Sequence, residues 1–244
     1  MGEAGGERRE GIARPAVLGW SLAAMNPLVS RFLSLFVLAV SLVAPASAAE
    51  GASRKRVAII FDDGPTPEQN APLLALLAQE KVRVSFANVG RNVDAHPELA
   101  RAVVSAGHEI VNHSYTHPHF KELADAAITQ EVRDTQEAVR KATGQTPSWF
   151  WAPFGDWDDR IAAAIRAGGL EHFPAMRFQF NDTRDWDAAT TAEQFRERAT
   201  RTIARDTVIL CHEWPKVTLA NLPWVLAELK RQNVEFVTFS ELAK

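Results

Sequence analysis

From Arg56 to the C-terminus, short apolar runs rich in β-branched residues alternate with longer stretches of helical periodicity, and this alternation constrains the fold more than any other feature. The runs fall at 57–61, 82–88, 109–112, 148–151, a weaker 173–180, 207–210 and 235–238. Helical patterns lie between them at 67–79, 97–106, 128–143, 158–167, 191–204 and 222–231. Strands that are apolar throughout need cover on both faces, which a mainly parallel sheet flanked by crossover helices provides. The pattern therefore predicts an α/β fold with about seven strands. No repeat, low-complexity tract or Ser/Gly-rich linker interrupts it, so residues 50–244 are expected to form a single domain.

Residues 1–49 are of a different kind. After Arg31 comes a short apolar run, 32–44, and then Pro45-Ala46-Ser47-Ala48-Ala49, with the small-residue spacing of a signal-peptide cleavage site. Cleavage is expected after Ala48 or Ala49, with Met25 a possible true start, and the product is expected to be exported to the periplasm or beyond the cell. The run is shorter than the roughly 20 apolar residues needed to cross a bilayer, so no stable membrane span is expected after cleavage. A net charge of −3 offers no attraction for nucleic acid or anionic lipid. Cys211 is the single cysteine, so no intrachain disulfide is possible, and its place in an apolar run reads as core.

Polar residues suited to catalysis follow directly after the apolar runs. Asp62 and Asp63 end the first, ahead of Gly64-Pro65. His113 follows the third and His117 comes four residues later. Pro153 follows the fourth, and His212 follows the run ending at Leu210. In a parallel α/β barrel all strand C-termini open on one face, so residues distant in sequence converge there. Two histidines four apart, joined by an aspartate from a neighbouring strand end, supply a ligand set with open positions for water and substrate. His119 lies past Pro118, which redirects the chain, and is expected outside that set. A histidine on the same face is a candidate proton donor, since imidazole titrates near neutrality.

In order and spacing these pieces resemble the polysaccharide deacetylases with a NodB-homology domain, carbohydrate esterase family 4, over roughly residues 56–242. The resemblance rests on Phe61-Asp62-Asp63-Gly64-Pro65, His113-Ser114-Tyr115-Thr116-His117, Pro153-Phe154-Gly155 and Leu210-Cys211-His212. It implies a distorted (β/α) barrel and a divalent metal, usually zinc with cobalt as another possibility, held by Asp63, His113 and His117. It further implies Asp62 as general base, His212 as general acid and Asp185 as the carboxylate that keeps His212 protonated. The backbone N–H of Phe154 would stabilise the oxyanion, and Trp186 and Pro153 would contact substrate. Where the family carries an arginine that orients the base, this chain has Trp151, and Arg184 is a candidate replacement. The implied substrate is an acetylated polysaccharide, peptidoglycan or a chitin-like N-acetylglucosamine polymer. O-acetylxylan, a small cyclic amide, or non-catalytic carbohydrate binding stay open as alternatives.

Overall fold

The computed structural model describes residues 54–244; the leader expected in residues 1–49 lies outside them. Eight strands occur among the described residues: β1 (Arg56–Gly64), β2 (Ser85–Asn88), β3 (Glu109–Asn112), β4 (Trp149–Phe150), β5 (Glu171–His172), β6 (Gln179–Asp182), β7 (Thr207–His212) and β8 (Glu235–Phe236). Seven of them form one continuous curl in the order β5-β4-β3-β2-β1-β7-β6, every neighbouring pair parallel. β8 joins the first two residues of β1, on the edge that β2 takes further along. The result is the expected distorted barrel, with β5 and β6 at the two ends of the curl.

Parity along the strands builds the core. Val57, Ile59 and Phe61 face outward and pack with Leu73 and Leu77 of α1 (Asn70–Glu80) and Leu222, Val225 and Leu226 of α7 (Lys216–Arg231). Ala58 and Ile60 face inward and meet Ala87, Val111, Val208, Phe173, Phe239 and Trp151 in a separate interior cluster. Phe150 of β4 turns the other way, onto Ile128 and Val132 of α4 (Asp125–Thr143) and Ile161 and Ile165 of α5 (Asp159–Ala167). Burying each large side chain in these clusters stabilises the fold by about 1.5–3 kcal/mol. The remaining helices are α2 (Gly90–Ala95), α3 (Pro97–Ser105), α6 (Ala192–Ala199) and α8 (Phe239–Leu242).

Three expectations shift. The weak strand expected at 173–180 is mostly not a strand: β5 ends just before it at His172, β6 begins only at Gln179, and between them lies a 3₁₀ turn at Ala175–Arg177 after Pro174, which has no N–H to give to a ladder. α7 starts at Lys216 rather than at 222 and contains Pro223 in its interior. α2 is short and has no counterpart among the helical patterns of the sequence. Gly90 opens it where a Cβ would press on the Tyr115 ring and the Thr135 side chain and backbone, so only glycine lets the two segments approach.

Candidate active site

The parity that builds the interior also assembles the site. Continuing the inward positions by one step past the apolar layer leads from Ile60 to Asp62, from Val111 to His113, and from Leu210 to His212. Asp62 and His212 are register partners on β1 and β7. Regular alternation would send Asp63 to the opposite face from Asp62. It does not, because the β1–β2 register slips between Asp62 and Gly64 and Asp63 takes φ 70°, a β-bulge that re-aims the side chain. His113 Nε2 is therefore 3.7 Å from Asp62 Oδ2 and 3.5 Å from Asp63 Oδ1. Positive φ recurs at Ser114, His117, Phe154 and Arg184, all in the loops around this face. Such left-handed non-glycine residues cost of order 1–3 kcal/mol each, and they persist where surrounding contacts over-determine them.

Asp63, His113 and His117 each present one ligand atom within 4.8 Å of the others. His117 Nε2 lies 3.1 Å from Asp63 Oδ1. Tetrahedral zinc with bonds of about 2.0–2.1 Å holds neighbouring donors about 3.3 Å apart, so these separations suit such an ion. The tautomer suits it as well. His113 Nδ1 lies 2.8 Å from the Trp151 carbonyl, an acceptor, which places the ring proton on Nδ1 and leaves the Nε2 lone pair facing the site. Although burial alone would raise the Asp63 pKa, hydrogen bonds and charge from His113 and His117 hold it well below the usual range, as an anionic ligand requires.

The loop that carries the two histidines is fixed from α4. Glu131 accepts hydrogen bonds from Tyr115 N at 2.7 Å, Thr116 N at 2.7 Å and Thr116 Oγ1 at 2.8 Å. Ser114 Oγ accepts from His117 N at 3.0 Å. Asn92 Nδ2 donates to the Asp63 carbonyl at 3.0 Å, pinning the bulge. Neither Glu131 nor Asn92 stands out in the sequence, because a polar residue on a helix reads as solvated.

Trp151, which stands where the family carries an arginine, reaches Asp62. Its indole Nε1 donates to Asp62 Oδ2 at 2.9 Å, while the ring is wedged between His172, stacked at 5.6 Å, and Phe239, edge-on at 5.6 Å. Arg184 does not take that place: its side chain is exposed and its guanidinium lies 5.5 Å above the Trp186 ring. Because the Trp151 donor is neutral, burial dominates Asp62 and raises its pKa to about 6, against the lowering influence of His113, His212 and the indole N–H. Asp62 Oδ1 is buried and has no hydrogen-bond partner among the described residues.

His212 is held by Asp185 twice, through Nδ1 at 2.8 Å and through its backbone N–H at 2.7 Å. Burial alone would lower its pKa, but the Asp185 hydrogen bond together with the charges of Asp62, Asp185 and Asp63 raises it to about 9. Thr218 also donates to Asp185, which is almost wholly buried. Next in the chain, Glu213 accepts from Thr66 N and Asn70 Nδ2, both at 3.0 Å, and its own N–H donates to the Asp62 carbonyl at 2.9 Å. A Cβ at Gly64 would collide with the Glu213 carboxylate, which accounts for glycine there. Cys211 is buried core, in keeping with the apolar run that contains it.

Aromatic rings surround the opening. Phe154 is 60% exposed, stacks on His119 at 3.8 Å and meets His117 edge-on at 4.6 Å. His119 belongs to this rim and pairs with Asp156, so it stands outside the ligand set. Trp157, Trp186 and Trp214 are each close to half exposed, whereas Pro153 is buried where it starts its 3₁₀ turn.

A curled parallel sheet whose strand ends gather an Asp-His-His group, a second carboxylate and an Asp-held histidine has the arrangement required of a metal-assisted hydrolase. Residues 49–173 match the family model described as polysaccharide deacetylase. A peptidoglycan-N-acetylglucosamine deacetylase of Listeria monocytogenes is 31% identical over 78% of this chain, which spans only 39% of that relative's length. A peptidoglycan-N-acetylglucosamine deacetylase of Bacillus cereus is 30% identical over 79% of this chain and 90% of its own. Among solved structures, a family 4 carbohydrate esterase from Streptomyces lividans, in complex with acetate, superposes with a TM-score of 0.69 at 32% identity, over 76% of this chain and 93% of that one. The chain belongs to the polysaccharide deacetylase family.

Proposed function

We propose that this protein is an exported, metal-dependent deacetylase that removes N-acetyl groups from an N-acetylglucosamine polymer such as peptidoglycan. The observation that carries the reading is the division of labour between two adjacent carboxylates: Asp63 Oδ1 faces both imidazoles, while Asp62 keeps a buried oxygen, Oδ1, with no hydrogen bond from the described residues. Asp63, His113 and His117 hold the cation, for which the nitrogen and oxygen donor set favours zinc, with cobalt a workable substitute. When bound, it polarises the acyl oxygen and brings the pKa of an attacking water towards about 7.

The chain's own residues supply the rest. Asp62 takes the water proton, with Trp151 fixing the orientation of its carboxylate. The Phe154 N–H contributes to holding the oxyanion, a main-chain role indifferent to the side chain. His212, protonated and aimed by Asp185, gives a proton to the departing amine. Pro153 shapes the turn that carries Phe154, and Trp186 forms a wall of the acetyl pocket. The apolar run and Ala-x-Ala spacing of residues 32–49 support export, and an envelope glycan is the substrate such a location offers. No described helix is long and apolar enough to cross a membrane.

The test is acetate release from N-acetylglucosamine oligomers, N-acetylated peptidoglycan and acetylxylan, each with zinc, with cobalt and after chelation. Metal-dependent release from the N-acetylated substrates is expected. Release from acetylxylan alone would move the assignment to an O-acetyl esterase, and release from none would leave a carbohydrate-binding role. Trp151→Phe keeps the packed ring but loses its N–H to a charged acceptor, worth about 1.5–3 kcal/mol. Turnover should fall roughly ten- to a hundredfold. Trp151→Arg should retain more activity than Trp151→Phe, and Arg184→Ala should behave as wild type. Loss of turnover in Arg184→Ala comparable to that in Trp151→Phe would show that the guanidinium, not the indole, supports the base.

A further inference from the structure

Trp214 lies two residues past His212 at the rim of the site, with the residue 45% exposed. Its N–H is nonetheless committed: Nε1 donates to Asp63 Oδ2 at 3.0 Å. The two imidazoles approach the other oxygen of the same carboxylate, Oδ1, at 3.1 and 3.5 Å. A carboxylate can offer a cation one oxygen or both, and one free to rotate offers its lone pairs in many directions. A donor fixed on Oδ2 turns that oxygen away and holds Oδ1 towards His113 and His117.

The segment bearing the indole is itself anchored to the strand end that it serves. Gln69 Nε2 donates to the Trp214 carbonyl at 3.2 Å. Glu213, the preceding residue, binds Thr66 and Asn70 through its carboxylate and the Asp62 carbonyl through its N–H. Trp214 therefore cannot drift relative to Asp63 without breaking a set of buried contacts. Burying only part of the ring, the contact has no packing rationale that phenylalanine would fail to meet; what tryptophan adds is the N–H.

We infer that Trp214 is a positioning residue of the metal centre, whose indole N–H sets the affinity for the divalent cation by orienting Asp63. This rests on the reading of Asp63, His113 and His117 as the ligand set. Partners of this outer-shell kind typically contribute 10- to 100-fold to metal affinity. The experiment is a zinc titration of the full chain against a chromogenic chelator, with no substrate present, for wild type, Trp214→Phe, Trp214→Ala and, as a control, Trp224→Phe, whose ring instead faces Arg196.

Wild type is measured first: absence of saturable zinc binding would overturn the ligand set and the inference with it. Given saturable binding, Trp214→Phe and Trp214→Ala should both raise the zinc Kd by about tenfold or more, with Trp224→Phe unchanged and thermal unfolding of the apo forms alike. A Kd for Trp214→Phe within twofold of wild type would overturn the inference alone. It would do so even if Trp214→Ala bound zinc poorly, since the ring and not its N–H would then be responsible.

Discussion

Asp62→Asn is expected to lower acetate release by about 10²- to 10⁴-fold, the range that a positioned general base contributes, with zinc affinity close to that of the unaltered protein. The substitution is nearly isosteric, and the local hydrogen bonding dictates how the amide settles. Trp151 Nε1 points at Oδ2 from 2.9 Å, so the amide must present its oxygen there and its NH₂ group where Oδ1 stood. The group facing the attacking water becomes a donor and can take no proton. Asp63→Asn should do the reverse and weaken zinc binding first, because the ligand oxygen between His113 and His117 loses its charge. Equal losses of zinc affinity in the two variants would mean that both carboxylates share the ion, which would sink the division of roles. Asp62 should also set the acid side of the rate profile. Burial raises its pKa to about 6, and only the carboxylate is a base, so rate is lost as pH falls through that value. A bound dication favours the carboxylate form, which places the limb at or below about pH 6.

Asp62, Asp63, His113, His117 and His212 are legible in the sequence because they are polar residues placed where an apolar strand ends. Strand parity then carries three of them, Asp62, His113 and His212, into the barrel mouth without further information. Asp63 is different. Alternation points it outward, and the bulge that turns it back is written only in the Gly64-Pro65 that follows, a signal shared by many plain turns. Trp151 is core, buried in the interior cluster. Its single N–H, however, meets a carboxylate 89 residues away, a pairing that no local pattern encodes. Glu131 illustrates the converse difficulty, since a glutamate within a 19-residue helix looks solvated although it holds the His113–His117 loop. Sequence pattern thus identifies the groups that do chemistry more readily than the groups that aim them, because aiming depends on contacts made only after the sheet has curled.

Asp185→Asn is expected to move the alkaline limb of the rate profile from about pH 9 towards neutrality, and the direction follows from which charges remain. His212 acts as an acid only when protonated, so rate is lost as pH rises through its pKa. Burial pulls that pKa down from the ordinary 6.5, and the hydrogen bond with Asp185, aided by nearby carboxylate charge, lifts it to about 9. The asparagine side chain keeps one acceptor oxygen, which can face His212 Nδ1 and hold the ring, while its NH₂ group takes the place of Oδ2 and gives up the bonds from the His212 backbone N–H and Thr218; the adjacent negative charge is gone and the desolvation remains. With the pKa returned to about 6.5, the protonated fraction at pH 8 falls from roughly nine-tenths to a few per cent, about a thirtyfold loss. At pH 6 most of the imidazole is protonated in either protein, and turnover should differ by only a fewfold. Measuring acetate release from pH 5 to 10 separates two roles for Asp185 that a single-pH assay confuses. If the carboxylate merely held the ring in place, its loss would depress the whole profile by a constant factor and leave the alkaline limb where it was, and that outcome would remove the electrostatic role argued for Asp185. A bound dication lowers the His212 pKa in both proteins by a similar amount, so the displacement between the two limbs, rather than their absolute positions, reads the charge that Asp185 contributes.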